Sequence, residues 1–334
     1  MYIGGTILNF YILTFKNKFF VLTILFILSF LIILHITYFE NFSHYVLKND
    51  RSAKIFNFIK DNGRNIKIAA IGTSHTANGL TSKEETFFNY GAPSTWYPQV
   101  AYAKATHLLD YASNLKILLL EVDHISVLRY THLLDTQMPE QYLYLLKHVN
   151  EPFNEKIVYT NTSKKHILLS LQSDIAPVLH RKLFQNYLRN RGEKKTETNS
   201  WLTLTSKEKR EKAKKRIHSY YLDTPSKIDG DTLSYYNRII QKAQTQNVQV
   251  YLIYYPQTIE YLSQINDKNN IIVENFVNEL CKKYNIKKLD FRYFFENNES
   301  SFANQDHITK KASFIIFKEI AKDISIKELK DKHE

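Results

Sequence analysis

The stretch Leu115-Lys116-Ile117-Leu118-Leu119-Leu120-Glu121-Val122 constrains the fold more than any other part of this chain. Its apolar residues run on without the in–out alternation of a strand that faces water on one side. Such a strand is covered on both faces, as a central parallel strand is between two helix layers. Shorter apolar runs recur at 66–71, 87–90, 248–255 and 286–291. Helical spacing separates them at 98–113, 233–247, 271–284 and 310–324. In the first of these, Ala101, Ala105, Leu108 and Leu109 share a face. This alternation predicts a doubly wound, flavodoxin-like three-layer α/β sandwich around a parallel sheet. Sites in such sheets lie at the carboxyl ends of the strands.

Upstream, Phe19 to Phe39 is almost wholly apolar. Twenty-one helical residues reach about 30 Å, the thickness of a bilayer core. No small-residue cleavage site follows, so the run is expected to stay as a single-pass transmembrane anchor. Lys16 and Lys18 precede it, and Lys48, Arg51 and Lys54 follow, so local charge does not fix its orientation. The expected organisation is an N-terminal segment (1–18), the anchor (19–39), a linker with a short helix (40–63) and an α/β domain (64–325). Residues 130–222 lack strand patterning and are expected to form a helical insertion.

The net charge of +12 is concentrated: residues 189–216 hold eleven Lys/Arg against four Asp/Glu. Interleaved glutamates suit an exposed helix face, and the anchor argues against nucleic acid as a partner. Anionic lipid or polymer is the more natural counterpart. The lone cysteine, Cys281, excludes an intrachain disulfide and sits in a helical context as a buried structural thiol. Neither a phosphate-binding glycine loop nor a His/Cys metal spacing is present, so no cofactor and no metal are expected.

Gly72-Thr73-Ser74-His75 follows the first strand and opens a helix. A serine there is either a helix N-cap or a nucleophile exposed near the positive end of the helix dipole. Far downstream, Asn304-Gln305-Asp306-His307-Ile308-Thr309 precedes the last helix and supplies a candidate base in His307. This order, Gly-x-Ser first and an acidic-His block last, resembles the SGNH (GDSL-type) hydrolase superfamily. Within it the chain resembles the membrane-anchored branch of the cell envelope, which includes teichoic-acid D-alanyl transfer and alginate O-acetylation proteins.

The resemblance spans roughly residues 64–325 and implies an esterase or O-acyltransferase. Ser74 would be the nucleophile and His307 the base. The oxyanion would be held by the N–H groups of Ser74 and Gly91, the latter matching the second-block glycine. It further implies an extracytoplasmic domain at the cell membrane, an envelope polysaccharide or related polymer as substrate, and a membrane-bound acyl-donor partner.

Two positions depart from the family. Asn304 stands three residues before the histidine, where the family has Asp. Asn can orient an imidazole but adds no charge, and it can impose the wrong tautomer. Asp306 is the alternative acid, although neighbours in an extended loop point apart. The third-block Asn is replaced by Glu121-Val122-Asp123-His124. Asp123, His124 and His75 are candidates to shape a substrate pocket, or ordinary loop residues. The departures leave a second possibility, a catalytically weak or inactive protein that binds glycan or scaffolds an envelope complex.

Overall fold

The computed structural model describes residues 22–23, 26–30, 51–92, 98–128 and 201–324. It divides into two units, residues 1–54 and 55–334. In the first, 22–23 and 26–30 are helical, with Phe26, Ile27, Leu28 and Phe30 exposed. Among the described residues no helix is long and apolar enough to cross a membrane. Most of the expected 19–39 anchor lies outside them, as does 130–200 of the expected insertion.

The second unit is a mixed α/β fold. Its elements are α1 (Arg51–Asn62, whose first four residues belong to the first unit), β1 (Ile68–Ile71), α2 (Ser74–Gly79), β2 (Phe87–Asn89), α3 (Pro98–Tyr111), β3 (Ile117–Glu121) and α4 (His124–Leu128). After the undescribed stretch come α5 (Ser206–Ser219), α6 (Gly230–Thr245), β4 (Gln249–Tyr254), α7 (Ile259–Leu262), α8 (Asp267–Tyr284), β5 (Lys287–Asp290) and α9 (Lys310–Asp323). The five strands form one parallel sheet in the order β2-β1-β3-β4-β5. This is the flavodoxin-like order, with its reversal between β1 and β3.

The continuous apolar runs are resolved by the strand period of two. Ala69, Ile71, Leu118, Leu120, Val250 and Leu252 face one core, with α3, α6 and α8. Ile68, Ala70, Ile117, Leu119, Tyr251 and Ile253 face the other, with α9 and the aromatic segment Phe291, Phe295 and Phe302. Neighbouring residues thus enter opposite cores, and no position of β1 or β3 is left for water. At the edge, β5 exposes Lys287 and Lys288, which discourage further strand pairing.

Local chemistry sets the helix ends. Thr205 and Glu208 form a reciprocal capping box on α5; Asp229, Asn266 and Thr309 cap α6, α8 and α9. Over 201–216 the basic stretch is not simply an exposed face. Trp201, Lys209, Ala213 and Ile217 are buried, and Lys209 reaches Glu299 at 2.6 Å. Cys281 on α8 is half-buried rather than buried, and burial pushes its thiol up, away from the reactive thiolate.

Candidate active site

The sheet reversal places the ends of β1 and β3 side by side, and three loops converge there. The first is the β1–α2 turn. Thr73 is the N-cap of α2, its Oγ1 accepting the His75 N–H at 3.2 Å. The cap is therefore taken by the residue before Ser74. Ser74 is the first residue of the helix, and its side chain is left for another partner. Its backbone N–H makes no hydrogen bond among the described residues.

Glu121, at the end of β3, holds this turn. One carboxylate oxygen accepts the Thr73 N–H at 2.8 Å, the Thr76 N–H at 3.0 Å and the Thr76 hydroxyl at 2.5 Å. The other accepts the Thr73 hydroxyl at 2.6 Å. Gly72 makes room for it: a Cβ there would lie 2.0 Å from Thr76 Oγ1 and 2.2 Å from the Glu121 carboxylate. Burial and the nearby Asp123 push the Glu121 carboxyl up to about 7, against the pull of His75 and the threonine donors.

The third loop, 302–309, carries His307. It is closed by the Phe302–Ile308 bridge and tied to Thr258, whose N–H and hydroxyl both donate to the Gln305 carbonyl. His307 Nε2 lies 2.9 Å from Ser74 Oγ. On the other side of the ring, Nδ1 lies 3.1 Å from Asn304 Oδ1. That same oxygen accepts the backbone N–H groups of Asp306 at 3.1 Å and His307 at 3.0 Å.

Backbone N–H groups only donate, so the atom facing them is the amide oxygen and the Asn304 side chain cannot be reversed. An oxygen acceptor then requires a proton on Nδ1, which leaves the Nε2 lone pair toward Ser74. The wrong-tautomer outcome expected for asparagine does not arise, because two backbone donors pin the amide.

Asp306 Oδ1 also comes within 3.1 Å of His307 Nδ1, yet it has no hydrogen-bond partner. Proximity without alignment makes it a source of charge, while Asn304 is the hydrogen-bonding partner. Its Oδ2 accepts from Arg216 Nε at 2.8 Å and faces His75 Nε2 at 3.5 Å. Burial opposes the Asp306 charge, but the adjacent His307 and then His75 hold its carboxyl well below the usual range. Burial depresses His307, assisted by the positive charges of His75 and Arg216 against Asp306. The His307 imidazole thus favours its neutral form, the form able to accept a proton.

The three residues expected to shape a pocket are all buried. His75 and Asp123 are buried and paired to one another through His75 Nδ1. His124 is buried toward α8, where Asn270 and Glu274 approach it; burial first, and then Arg292, depress its imidazole to about 4. Gly91 also differs from expectation: its N–H donates to Asn89 Oδ1 at 2.8 Å. A Cβ there would lie 2.3 Å from the Ala77 backbone nitrogen, so Gly91 serves close packing on α2. The groups His75–Asp306–His307 and His75–Glu121–Asp123 each bring potential ligand atoms within 4.8 Å. Their atoms are engaged with one another, with Ser74 and with the threonines, and no metal is assigned to them.

Sequence reading overlooked Glu121, Asn89 and Arg216. A lone acid ending an apolar strand was a usable signal for Glu121. Asn89 Nδ2 ties the Thr76 and Leu80 carbonyls at 2.9 and 2.8 Å. Arg216 carried no signal within a run of basic residues.

The chain matches no protein-family model and no curated protein. Among solved structures it is similar to a crystal structure from Bacteroides fragilis described as a "putative acylhydrolase". The two share 9% identity and a TM-score of 0.39, over 80% of this chain and 94% of that one.

Proposed function

We propose that this protein is a serine esterase or O-acyltransferase acting through an acyl-enzyme. The observation that carries the reading is the 2.9 Å approach of Ser74 Oγ to the unprotonated Nε2 of His307, with Asn304 fixing the tautomer from the far side. His307 takes the Ser74 proton as Oγ attacks an ester carbonyl. The tetrahedral oxyanion forms beside the open Ser74 N–H, and His307 returns the proton to the departing alkoxide. Water or a second hydroxyl, deprotonated by His307, then releases the acyl group. Hydrolysis and transfer differ only in that acceptor.

The setting we propose is the SGNH-like envelope branch: a single-pass anchor at 19–39, an extracytoplasmic domain, an envelope polysaccharide or related polymer as substrate and a membrane-bound acyl donor. The length of the apolar run and the exposed apolar side chains at 26–30 support the bilayer contact. The decisive experiment compares wild-type and Ser74→Ala protein for turnover of a p-nitrophenyl acyl ester and for labelling by a fluorophosphonate. Loss of both in the variant is expected; full turnover by Ser74→Ala would refute the reading. The neutral partner on Nδ1 favours one alternative, a weakly active or inactive glycan-binding scaffold. An absence of labelling in the wild-type protein would support it.

A further inference from the structure

His75 is the buried titratable group that the acyl-transfer steps leave unused, and it follows the nucleophile directly. Its ring is 2% exposed at the level of the whole residue and meets the His307 ring edge-on, with centroids 5.0 Å apart. Nδ1 faces Asp123 Oδ2 and Nε2 faces Asp306 Oδ2. An ionised carboxylate only accepts hydrogen bonds, so both ring nitrogens have to donate, and a histidine that donates from both is an imidazolium. The carboxylates are themselves held: Asp123 Oδ1 accepts the Ser126 N–H at 2.8 Å, and Asp306 Oδ2 accepts from Arg216.

We propose that His75 is a positioning residue: a fixed imidazolium, clamped between Asp123 and Asp306, that draws Asp306 off the His307 hydrogen-bonding line and keeps the base neutral. The inference rests on the esterase reading only in calling His307 the base. Asp306 sits next to His307 in sequence and, without a counter-charge, would present a full negative charge at Nδ1 and make the ring hold its proton. His75 and Arg216 share its Oδ2 and offset that charge.

Among the described residues, the groups facing His75 are Glu121 and Asp123 at the end of β3 and Asp306 and His307 in the last loop. Those facing His307 are Ser74, His75, Asp306 and Arg216 from α5, while Tyr261 of α7 approaches Asp306. Burial disfavours the charge on His75, but Asp123 and then Asp306 outweigh it and hold its proton well above the ordinary range. The device replaces what a carboxylate at position 304 would do with two separate parts. Asn304 sets direction, and the Asp123–His75–Asp306–Arg216 row sets charge.

The test is a histidine-ring nitrogen NMR titration of the full-length protein, with His75→Gln and His307→Asn assigning the two rings. In the wild type, His75 is expected to keep both nitrogens protonated from pH 5 to 8. In His75→Gln, removing a positive charge about 5 Å away should raise the His307 midpoint by about one pH unit or more. The acid limb of kcat/KM on p-nitrophenyl acetate should move with it.

A merely structural role for His75 would lower activity at every pH and leave the His307 midpoint where it was. That result, or a wild-type His75 that titrates between pH 5 and 8, overturns the proposal. Should His75→Gln fail to fold, the wild-type titration still decides. The titrations need no turnover, so failure of the esterase reading with Ser74→Ala is a separate outcome.

Discussion

Asn304→Asp is the most informative substitution at this site. The change is close to isosteric: an aspartate oxygen in the same place still accepts from His307 Nδ1 and from the Asp306 and His307 backbone N–H groups. What it adds is one negative charge at 3.1 Å from Nδ1. At an effective dielectric near 20 the bare attraction to an imidazolium is about 5 kcal/mol. Much of it is lost to repulsion, because Asp306 Oδ1 already stands 3.1 Å from the same nitrogen. The net rise in the His307 pKa is expected to be about 1–2 units, the ordinary effect of a carboxylate at contact.

The sign follows directly. A higher pKa keeps the base protonated to higher pH, so the acid limb of kcat/KM on a p-nitrophenyl ester moves up by the same about 1–2 units. Above the limb the gain from a better-stabilised imidazolium is expected to be no more than about tenfold. A triad in which asparagine imposes the wrong tautomer forfeits about four orders of magnitude. Here the tautomer is already correct, so that large recovery is not available. A thousandfold gain in Asn304→Asp would refute the argument that the backbone pins the amide. An unmoved acid limb would refute the placement of Asn304 on Nδ1.

Gly72→Ala is expected to destabilise by about 2–4 kcal/mol in chemical denaturation, because the new methyl overlaps the Glu121 carboxylate and Thr76 Oγ1 deep in the turn. Its fluorophosphonate labelling should fall as the Ser74 turn is displaced, and wild-type stability would refute the overlap. Glu121→Gln tests the buried carboxyl. With a folded pKa raised from about 4.5 to about 7, the stability it contributes is fully present below pH 4.5 and is lost as pH rises through 7. Wild type should therefore lose about 3 kcal/mol more than Glu121→Gln between pH 4.5 and 8, the worth of some 2.5 pKa units. Parallel stability curves would mean that the four donors keep Glu121 ionised throughout.

The fold was legible in the sequence because its signals are local. The unbroken apolar run before Glu121, the shorter runs around it and the helical spacing between them specify strands covered on two faces, and the chain order of strands and helices leaves few ways to wind a parallel sheet. The observed strands, such as Ile68–Ile71 and Gln249–Tyr254, lie within the runs read from the sequence, trimmed by a residue or two at the ends.

The approach of Ser74 to His307 was suggested by motif order, but their 2.9 Å separation is a property of the folded chain, across 233 positions. What Asn304 does could not be read from its identity. An asparagine's direction is set by which donors surround its amide, and here those are backbone groups of its own turn. The engagement of the Gly91 N–H likewise turned on a nearby acceptor, Asn89, two residues away. The charge state of His75 and Asp306 was further out of reach, since it depends on burial and on Arg216, 90 positions from Asp306. Local periodicity determines elements, whereas the energies of buried charges depend on what tertiary packing places within a few ångströms.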